Sequence, residues 1–326
     1  MRLAISGPLT DEVLAFGAQI GATDYVGGPP DISRERGYYG FQELMIARNR
    51  VEDAGLQWTV AGIPEEWTHR IKLGLPGRDE QVASWCRTIE NLGAAGVPVI
   101  CYFFSLRSSI GHYGLRTSRS TPGRGGAKVT SFDHEQIRSA TQDFWDPPVD
   151  RSLEVTDDQV WDNVTWFLER VIPVAEDAGV KLALHPDDPP VSPIAGVARV
   201  LRDHAALKRV VDIVPSDANG LTFCVGTIGA MPGDVLEAIR YFGTRNKIHH
   251  VHFRNVTGTV PAFAETFIDE GYVDMVKAMR AFRDAGFDGP MVEDHVPEMA
   301  GGPDQWPAKA FALGYMRAAM QAAGAD

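Results

Sequence analysis

Residues 157–185 read DDQVWDNVTWFLERVIPVAEDAGVKLALH and contain one complete helix-to-strand unit. Apolar residues recur at intervals of three and four, which predicts an amphipathic helix over Asp157–Ala178. Gly179 follows at a helix-stop position, and the short apolar run Lys181–His185 then has the length of a buried strand. The stretch therefore predicts parallel strands joined by helical crossovers.

The same alternation continues through the rest of the chain. Seven further short β-type runs occur, at Leu3–Ile5, Asp24–Val26, Trp58–Ala61, Val97–Phe104, Leu221–Val225, Ile248–Phe253 and Pro290–Glu293. Helices are predicted between them at Asp79–Leu92, Val235–Tyr241 and Tyr272–Ala285. Eight such units, without a glycine-rich dinucleotide fingerprint after the first strand, favour an α/β fold closed into one (β/α)₈ TIM barrel. An open doubly wound sheet is the alternative.

Composition is that of an ordinary globular protein, with 44% hydrophobic and 23% charged residues, and predicts a single domain over residues 1–326. The net charge of −12 argues against nucleic acid as a partner. No long apolar window and no cleavable signal segment is found, so we expect no membrane association and a location in the cytoplasm. We also expect a homo-oligomer. Three cysteines are interpreted as reduced thiols, with Cys86 and Cys101 as packing residues.

Four residues with metal-binding side chains fall at the carboxyl ends of the last four predicted strands. They are His185, Cys224, His252 and Asp294, separated by 39, 28 and 42 residues. Each alone is more often a packing or hydrogen-bonding residue, but their joint placement predicts that all four point into the mouth of the barrel. Such a set can bind one divalent cation. The thiolate favours zinc, cobalt or ferrous iron, and the nitrogen and oxygen ligands are also compatible with manganese.

Further candidates lie close to these ligands in the sequence. His250 shares one face of its strand with His252, and Arg254 follows in the motif HHVHFRN. Asp187 belongs to HPDDPP, a proline-stiffened loop that begins at His185. We interpret His250 and Asp187 as candidate substrate contacts and Arg254 as a candidate catalytic residue.

The connection 105–156, after the fourth strand, is unusually long and is interpreted as an active-site loop insertion. It carries the candidate substrate-binding residues Arg107, Arg116, Arg119 and Arg124. No acidic residue falls between Arg107 and Lys128, which predicts a lid that clamps a substrate carboxylate. The run GRGGA at 123–127 would give this lid backbone freedom. A merely solvated basic loop is the alternative.

Several motifs resemble those of the mannonate dehydratase family, among the xylose-isomerase-like barrels. They are HPDDPP (185–190), SDANGLTFCVG (216–226), HVHFRN (250–255), GYVDM (271–275) and the pair Asp294-His295. The resemblance spans most of the chain and implies a metal-dependent enzyme, with manganese as the metal, that removes water from mannonate. It implies His185, Cys224, His252 and Asp294 as metal ligands and His295 as a catalytic histidine.

The chain departs from that family at two places. The family commonly has Arg-Pro before its Asp-His pair, where this chain has Val292-Glu293. The family also has a Gly-Tyr motif with a catalytic tyrosine after the pair, where this chain reads GGPDQWP (301–307).

Together these features predict a hydro-lyase that acts on a small anionic sugar acid. The resemblance implies D-mannonate as the substrate and 2-keto-3-deoxy-D-gluconate as the product, and another sugar acid is an alternative. A metal would stabilise the enediolate formed by proton abstraction, and His295, Asp294 and Arg254 are the predicted catalytic residues. A metal-dependent sugar isomerase or epimerase remains an alternative, which the basic loop disfavours. A sugar-acid-binding protein with a decayed active site is the other alternative.

Overall fold

Eight parallel strands close into a barrel in the computed structural model, which describes residues 1–29, 34–106, 115–139, 154–301 and 306–324. The strands are β1 (Arg2–Ser6), β2 (Asp24–Val26), β3 (Gln57–Gly62), β4 (Val99–Phe103), β7 (Lys181–His185), β8 (Asn219–Cys224), β9 (Ile248–His252) and β11 (Pro290–Val292). Their order around the barrel is β1-β11-β9-β8-β7-β4-β3-β2. The predicted TIM barrel is confirmed, and the open doubly wound sheet is wrong.

Helices surround the barrel and lie between its strands in the chain. Within the described ranges they are α1 (Asp11–Ile20), α2 (Phe41–Asp53), α3 (His69–Leu73), α4 (Arg78–Ala94), α5 (His134–Ser139), α6 (Asp157–Ala178), α7 (His204–Ile213), α8 (Val225–Ala230), α9 (Val235–Gly243), α10 (Met275–Asp284) and α11 (Trp306–Ala323). Short 3₁₀ turns occur at Arg34–Arg36, Glu65–Trp67 and Arg124–Gly126. In the part of the chain that the structure describes, no helix is long and apolar enough to span a membrane.

The helix-to-strand unit at 157–185 forms as its sequence predicts. Thr156 caps α6: its hydroxyl accepts from the Gln159 backbone N–H at 3.3 Å, and the Gln159 side chain accepts from the Thr156 backbone N–H at 2.8 Å. The helix ends at Gly179, which adopts a left-handed conformation with φ of 68°. These two local signals explain why the predicted bounds of α6 coincide with the observed ones.

The described part of the insertion after β4 contains regular secondary structure. Two of its segments form the strands β5 (Ser118–Pro122) and β6 (Lys128–Asp133), and β6 pairs with β10 (Ala262–Ala264) in a three-stranded antiparallel sheet. The run GRGGA is the turn of this hairpin, closed by a 2.7 Å hydrogen bond from the Gly123 N–H to the Ala127 carbonyl. The sequence did not predict these strands because β5 is polar and lacks the apolar alternation of a half-buried strand.

The core lies between the barrel strands and the helices. Trp85 of α4 packs edge-on against Tyr102 of β4 and Phe167 of α6, with ring centroids 5.6 and 5.0 Å away. Helices α4 and α6 approach so closely that a Cβ built on Gly93 would lie 2.4 Å from the Ala178 carbonyl oxygen. A glycine at position 93 is therefore required by helix packing.

We expect Gly93→Ala to destabilise the protein by about 1–3 kcal/mol, because backbone must shift to accept the methyl group. The matched control is Gly314→Ala in α11, where a Cβ would meet no atom within 4 Å. There the better helix propensity of alanine should raise stability by up to about 1 kcal/mol. Denaturant unfolding of both variants checks this, and equal stability changes would contradict the close contact at Gly93.

Candidate metal centre and cleft

The four predicted ligands gather at the carboxyl end of the barrel. His185, Cys224 and His252 are the last residues of β7, β8 and β9, which are neighbours in the barrel, and Cys224 pairs in register with His252. The candidate ligand atoms of these three all lie within 4.8 Å of one another. Asp294 follows β11, and its Oδ2 lies 3.8 Å from Cys224 Sγ and 3.6 Å from His252 Nδ1. The barrel thus brings together residues that are far apart in sequence.

These side chains offer one sulfur and several nitrogen atoms to a cation. His185 Nδ1 lies 2.7 Å from the Pro186 carbonyl oxygen, so a proton on Nδ1 leaves Nε2 with a free lone pair. His252 Nδ1 is buried and has no hydrogen-bond partner among the described residues. Burial raises the pKa of the Cys224 thiol, but the charge of Arg254 and hydrogen bonds with His185 and His252 bring this pKa well below its ordinary value. Burial lowers the pKa of His252, but the charge of Asp294 raises it well above its ordinary value, so this imidazole binds a cation by giving up its proton.

The charge of the buried cluster also fits a divalent cation. Its anionic groups are the Cys224 thiolate and the carboxylates of Asp188, Glu265 and Asp294. Their buried cationic partners are the guanidinium groups of Arg116 and Arg254. The pKa values of His252 and His295 are also raised, so two imidazolium charges add to those of the arginines, and a divalent cation that displaces the proton of His252 would supply positive charge in its place.

Arg254 connects the ligand cluster to the loops around it. Its side chain is only 3% exposed, and its Nε donates to Asp294 Oδ2 at 2.7 Å. Its Nη2 donates to Asp188 Oδ2 at 2.8 Å and to the Thr227 hydroxyl oxygen at 3.0 Å. The Thr227 hydroxyl in turn lies 3.1 Å from Cys224 Sγ. Arg254 therefore orients two carboxylates, and the catalytic role assigned to it from the sequence stays a prediction.

Glu265 directly follows β10 and connects residues of the insertion to His295. Its Oε1 accepts hydrogen bonds from Arg116 and lies 2.5 Å from His295 Nδ1, while its Oε2 accepts from the Thr130 hydroxyl at 2.6 Å. Arg116 also donates to Asp188 Oδ2 at 2.8 Å. Burial acts to raise the pKa of Glu265, but the charges of Arg116 and His295 outweigh it and lower this pKa to about 2. Glu265 is thus an ionised carboxylate between the insertion and His295.

His295 stands between this carboxylate and the ligand cluster. Its Nε2 lies 3.6 Å from Asp294 Oδ1, and its backbone adopts a positive φ of 46° that few residues other than glycine tolerate. Burial lowers the pKa of His295, but Asp294 and Glu265 together raise it above its ordinary value. About a third of the side chain remains exposed, so the imidazole can reach a ligand in solution.

An open cleft of about 480 Å³ lies beside His295. Its lining residues come from the insertion, the barrel and α11, and are Ser6, Arg116, Arg119, Lys128, Val129, Thr130, Glu265, Glu293, Asp294, His295, Val296, Pro297, Glu298 and Lys309. Asp294 belongs both to this wall and to the ligand cluster, whereas His185, Cys224 and His252 are not part of the wall. Asp294 is therefore the link between cleft and cluster.

The arginines of the predicted lid have different surroundings. Arg119 is exposed and lines the cleft. Arg116 is buried and already paired with two carboxylates, which leaves it little free charge for a substrate. Arg124 does not line the cleft: it pairs with Asp269 at 2.8 Å and stacks on the Phe267 ring. This position does not favour a substrate contact for Arg124, whose role in substrate binding stays a prediction, and Arg107 lies outside the described residues.

Two other candidate substrate contacts are buried away from the cleft wall. Asp187 Oδ2 accepts from the Leu201 backbone N–H at 2.9 Å, which fixes the loop after β7. His250 points into the barrel, where its Nδ1 lies 3.1 Å from the Pro290 carbonyl and its ring lies 4.9 Å from that of His252. Asp187 and His250 thus hold the residues around the ligand cluster in place. Their direct contact with a substrate stays a prediction.

Several polar residues of the site were not singled out from the sequence. Asp188 was present in HPDDPP and Glu293 directly precedes the Asp294-His295 pair, but neither was assigned a role, while Glu265 and Lys309 stand in segments without a chemical motif. Their contacts come from different loops, so sequence spacing carries no signal for them.

Comparisons with known proteins agree with the motifs. A family model described as D-mannonate dehydratase (UxuA) matches residues 19–153 and 144–324. The mannonate dehydratase of Thermotoga maritima is 36% identical over 284 residues, which cover 78% of this chain and 77% of that protein. The crystal structure of mannonate dehydratase from Streptococcus suis serotype 2 superposes with a TM-score of 0.85 at 28% identity, over 99% of this chain and 95% of that one.

A more distant likeness concerns the fold alone. D-psicose 3-epimerase from Clostridium cellulolyticum H10 has a TM-score of 0.59 at 14% identity, over 99% of this chain and 98% of that one. The family model, by contrast, spans nearly the whole chain, and the Thermotoga maritima relative covers more than two thirds of it. This chain therefore belongs to the D-mannonate dehydratase family of hydro-lyases, as its motifs predicted.

Proposed function

We propose that this protein is a metal-dependent hydro-lyase that converts D-mannonate into 2-keto-3-deoxy-D-gluconate and water. The observation that carries the proposal is the convergence of His185, Cys224, His252 and Asp294 beside His295 and an open cleft. Membership of the D-mannonate dehydratase family supports the same reaction.

The four ligand side chains would hold the cation, which when bound supplies Lewis-acid stabilisation of the negative charge that develops next to the substrate carboxylate. Manganese is the metal that the family resemblance favours. The Cys224 thiolate also suits zinc, cobalt and ferrous iron, so the donor set alone leaves these open. Arg254 keeps the Asp294 carboxylate turned toward the ligand cluster through its 2.7 Å hydrogen bond.

Dehydration breaks the C2–H and C3–O bonds of the aldonate: a base takes the C2 proton, the C3 hydroxyl leaves as water with a second proton, and the enol with its C2–C3 double bond then tautomerises to the 2-keto acid. We assign to His295 the proton that the leaving C3 hydroxyl needs to depart as water. Glu265 holds Nδ1 and stabilises the charged imidazolium, which leaves Nε2 as the atom that transfers the proton. The exposed part of the imidazole borders the cleft, where a substrate can reach it.

The substrate carboxylate needs a cation of its own in an acidic protein. Arg119 is the candidate, because it lines the cleft and no ion pair is found for it among the described residues. Arg116, in contrast, is balanced by Asp188 and Glu265. The action of the protein in the cytoplasm and its assembly as a homo-oligomer stay predictions.

Protein stripped of metal should form no product from D-mannonate. Reloading with at least one of manganese, zinc, cobalt and ferrous iron should restore its conversion into a 2-keto-3-deoxy acid. Product formation across a panel of aldonates measures this. Epimerised aldonate as the sole product would support the epimerase alternative, and no product with any metal would contradict the proposal.

Cys224→Ser should weaken metal retention, because a serine hydroxyl stays protonated where the thiol has a lowered pKa. The matched control is Cys86→Ser, in α4, which should retain metal as the unaltered protein does. Cys101 is a poorer control, since its thiol lies next to His252. Metal content after dialysis measures the effect, and equal content in both variants would remove Cys224 from the site.

Arg119→Gln should lower kcat/KM for D-mannonate by roughly tenfold to a hundredfold, the loss expected for a hydrogen bond between charged groups. Arg124→Gln is the matched control, because Arg124 lies outside the cleft and should have little effect. Metal content should be unchanged in both variants. Near-normal kinetics for Arg119→Gln would show that the carboxylate is bound elsewhere.

A further inference from the structure

A second polar group lines the cleft and takes no part in the metal centre. It consists of Lys309 from α11, Glu293 directly after β11, and Ser6 at the end of β1. Lys309 Nζ donates to Glu293 Oε1 at 2.5 Å and to the Ser6 carbonyl oxygen at 3.1 Å. The Ser6 hydroxyl donates to the same Glu293 Oε1 at 3.3 Å. Three distant segments of the chain thus meet at one carboxylate.

The hydrogen bonding of this group is incomplete. The Glu293 side chain is only 2% exposed, yet its Oε2 has no hydrogen-bond partner among the described residues. An unsatisfied buried carboxylate oxygen costs free energy, and native proteins leave few of them. Lys309 likewise uses two of its three N–H donors in these contacts. One strong acceptor and one donor are therefore left without a partner among these groups.

The location of the group points to the substrate of the cleft. Glu293 precedes Asp294 in the chain, and Ser6, Glu293 and Lys309 line the same cleft as Asp294 and His295. A molecule held against His295 thus lies in the same cleft as the side chains of Glu293 and Lys309.

The donor and acceptor of this group favour a hydroxyl as the bound ligand group. A hydroxyl can donate to Glu293 Oε2 and accept from Lys309 Nζ at once, whereas a carboxylate would be repelled by Oε2. We propose that Lys309, Glu293 and Ser6 form a subsite that binds hydroxyl groups of the aldonate remote from its carboxylate and so selects substrates by chain length.

This inference rests on the proposed function, and it follows from the order of the atoms in the substrate. The carboxylate and the reacting carbons C2 and C3 are neighbours, so the region around His295 and Asp294 is taken by that end of the molecule. The hydroxyls beyond C3 are left for the Lys309 group. Glu293 and Lys309 are positioning residues in this scheme, since they touch no reacting bond.

The experiment compares D-mannonate with D-lyxonate, the five-carbon aldonate of the same configuration at C2, C3 and C4. Unaltered protein should prefer D-mannonate in kcat/KM, and Lys309→Met should reduce that preference by about tenfold or more. The double variant Lys309→Met/Glu293→Gln should lose it too, without leaving a buried charge unpaired. Most of the change should lie in KM for D-mannonate, because the contact is equal in substrate and transition state.

The matched control is Lys277→Met, which removes an exposed lysine on α10 that pairs with Asp274 and does not line the cleft. Its ratio of kcat/KM values should equal that of the unaltered protein. If the folded double variant, checked by its melting temperature, keeps the preference, the subsite does not exist. If the unaltered, metal-loaded protein does not turn over D-mannonate, the proposed function fails first and the inference falls with it.

Discussion

The buried guanidinium of Arg254 is the constraint on which the site depends. It holds Asp294 beside the ligand cluster and Asp188 at the loop after β7, and it bonds the Thr227 hydroxyl that contacts Cys224. Four buried anionic groups at one end of a barrel would repel one another strongly without such compensation. Arg254 thus lets carboxylates from two different loops approach a thiolate, and this gathering of negative charge is what suits the centre to a divalent cation.

Residues of the insertion after β4 hold Glu265 and, through it, the imidazole of His295. Arg116 and Thr130 both bond Glu265, and Glu265 in turn holds His295 Nδ1. From the sequence, Arg116 was expected to bind the substrate. In the structure its charge pairs with Glu265, which attaches the insertion to the barrel and orients His295. A rigid support of this kind positions an imidazole better than a loop that must first close. Arg119 is the arginine of the hairpin that still faces the cleft.

The departure of this chain from the family motif has a structural consequence at the cleft. Val292-Glu293 stands where the family commonly has Arg-Pro, and the Glu293 side chain pairs with Lys309 from α11. The wall of the cleft thereby carries a carboxylate paired with a lysine. In the proposed subsite, this pair would favour neutral hydroxyls over anions.

The sequence by itself determined the barrel, the bounds of α6 and the four candidate ligands, because helix caps, apolar periodicity and strand ends are local signals. His185, Cys224 and His252 are each the last residue of a strand, so the fold alone brings them together. Only the tertiary structure decided the partners of Arg116, Glu265 and Lys309, since these contacts join segments up to 303 residues apart. Long-range pairing of charges depends on which loops meet above the barrel, and no local pattern of residues encodes that meeting.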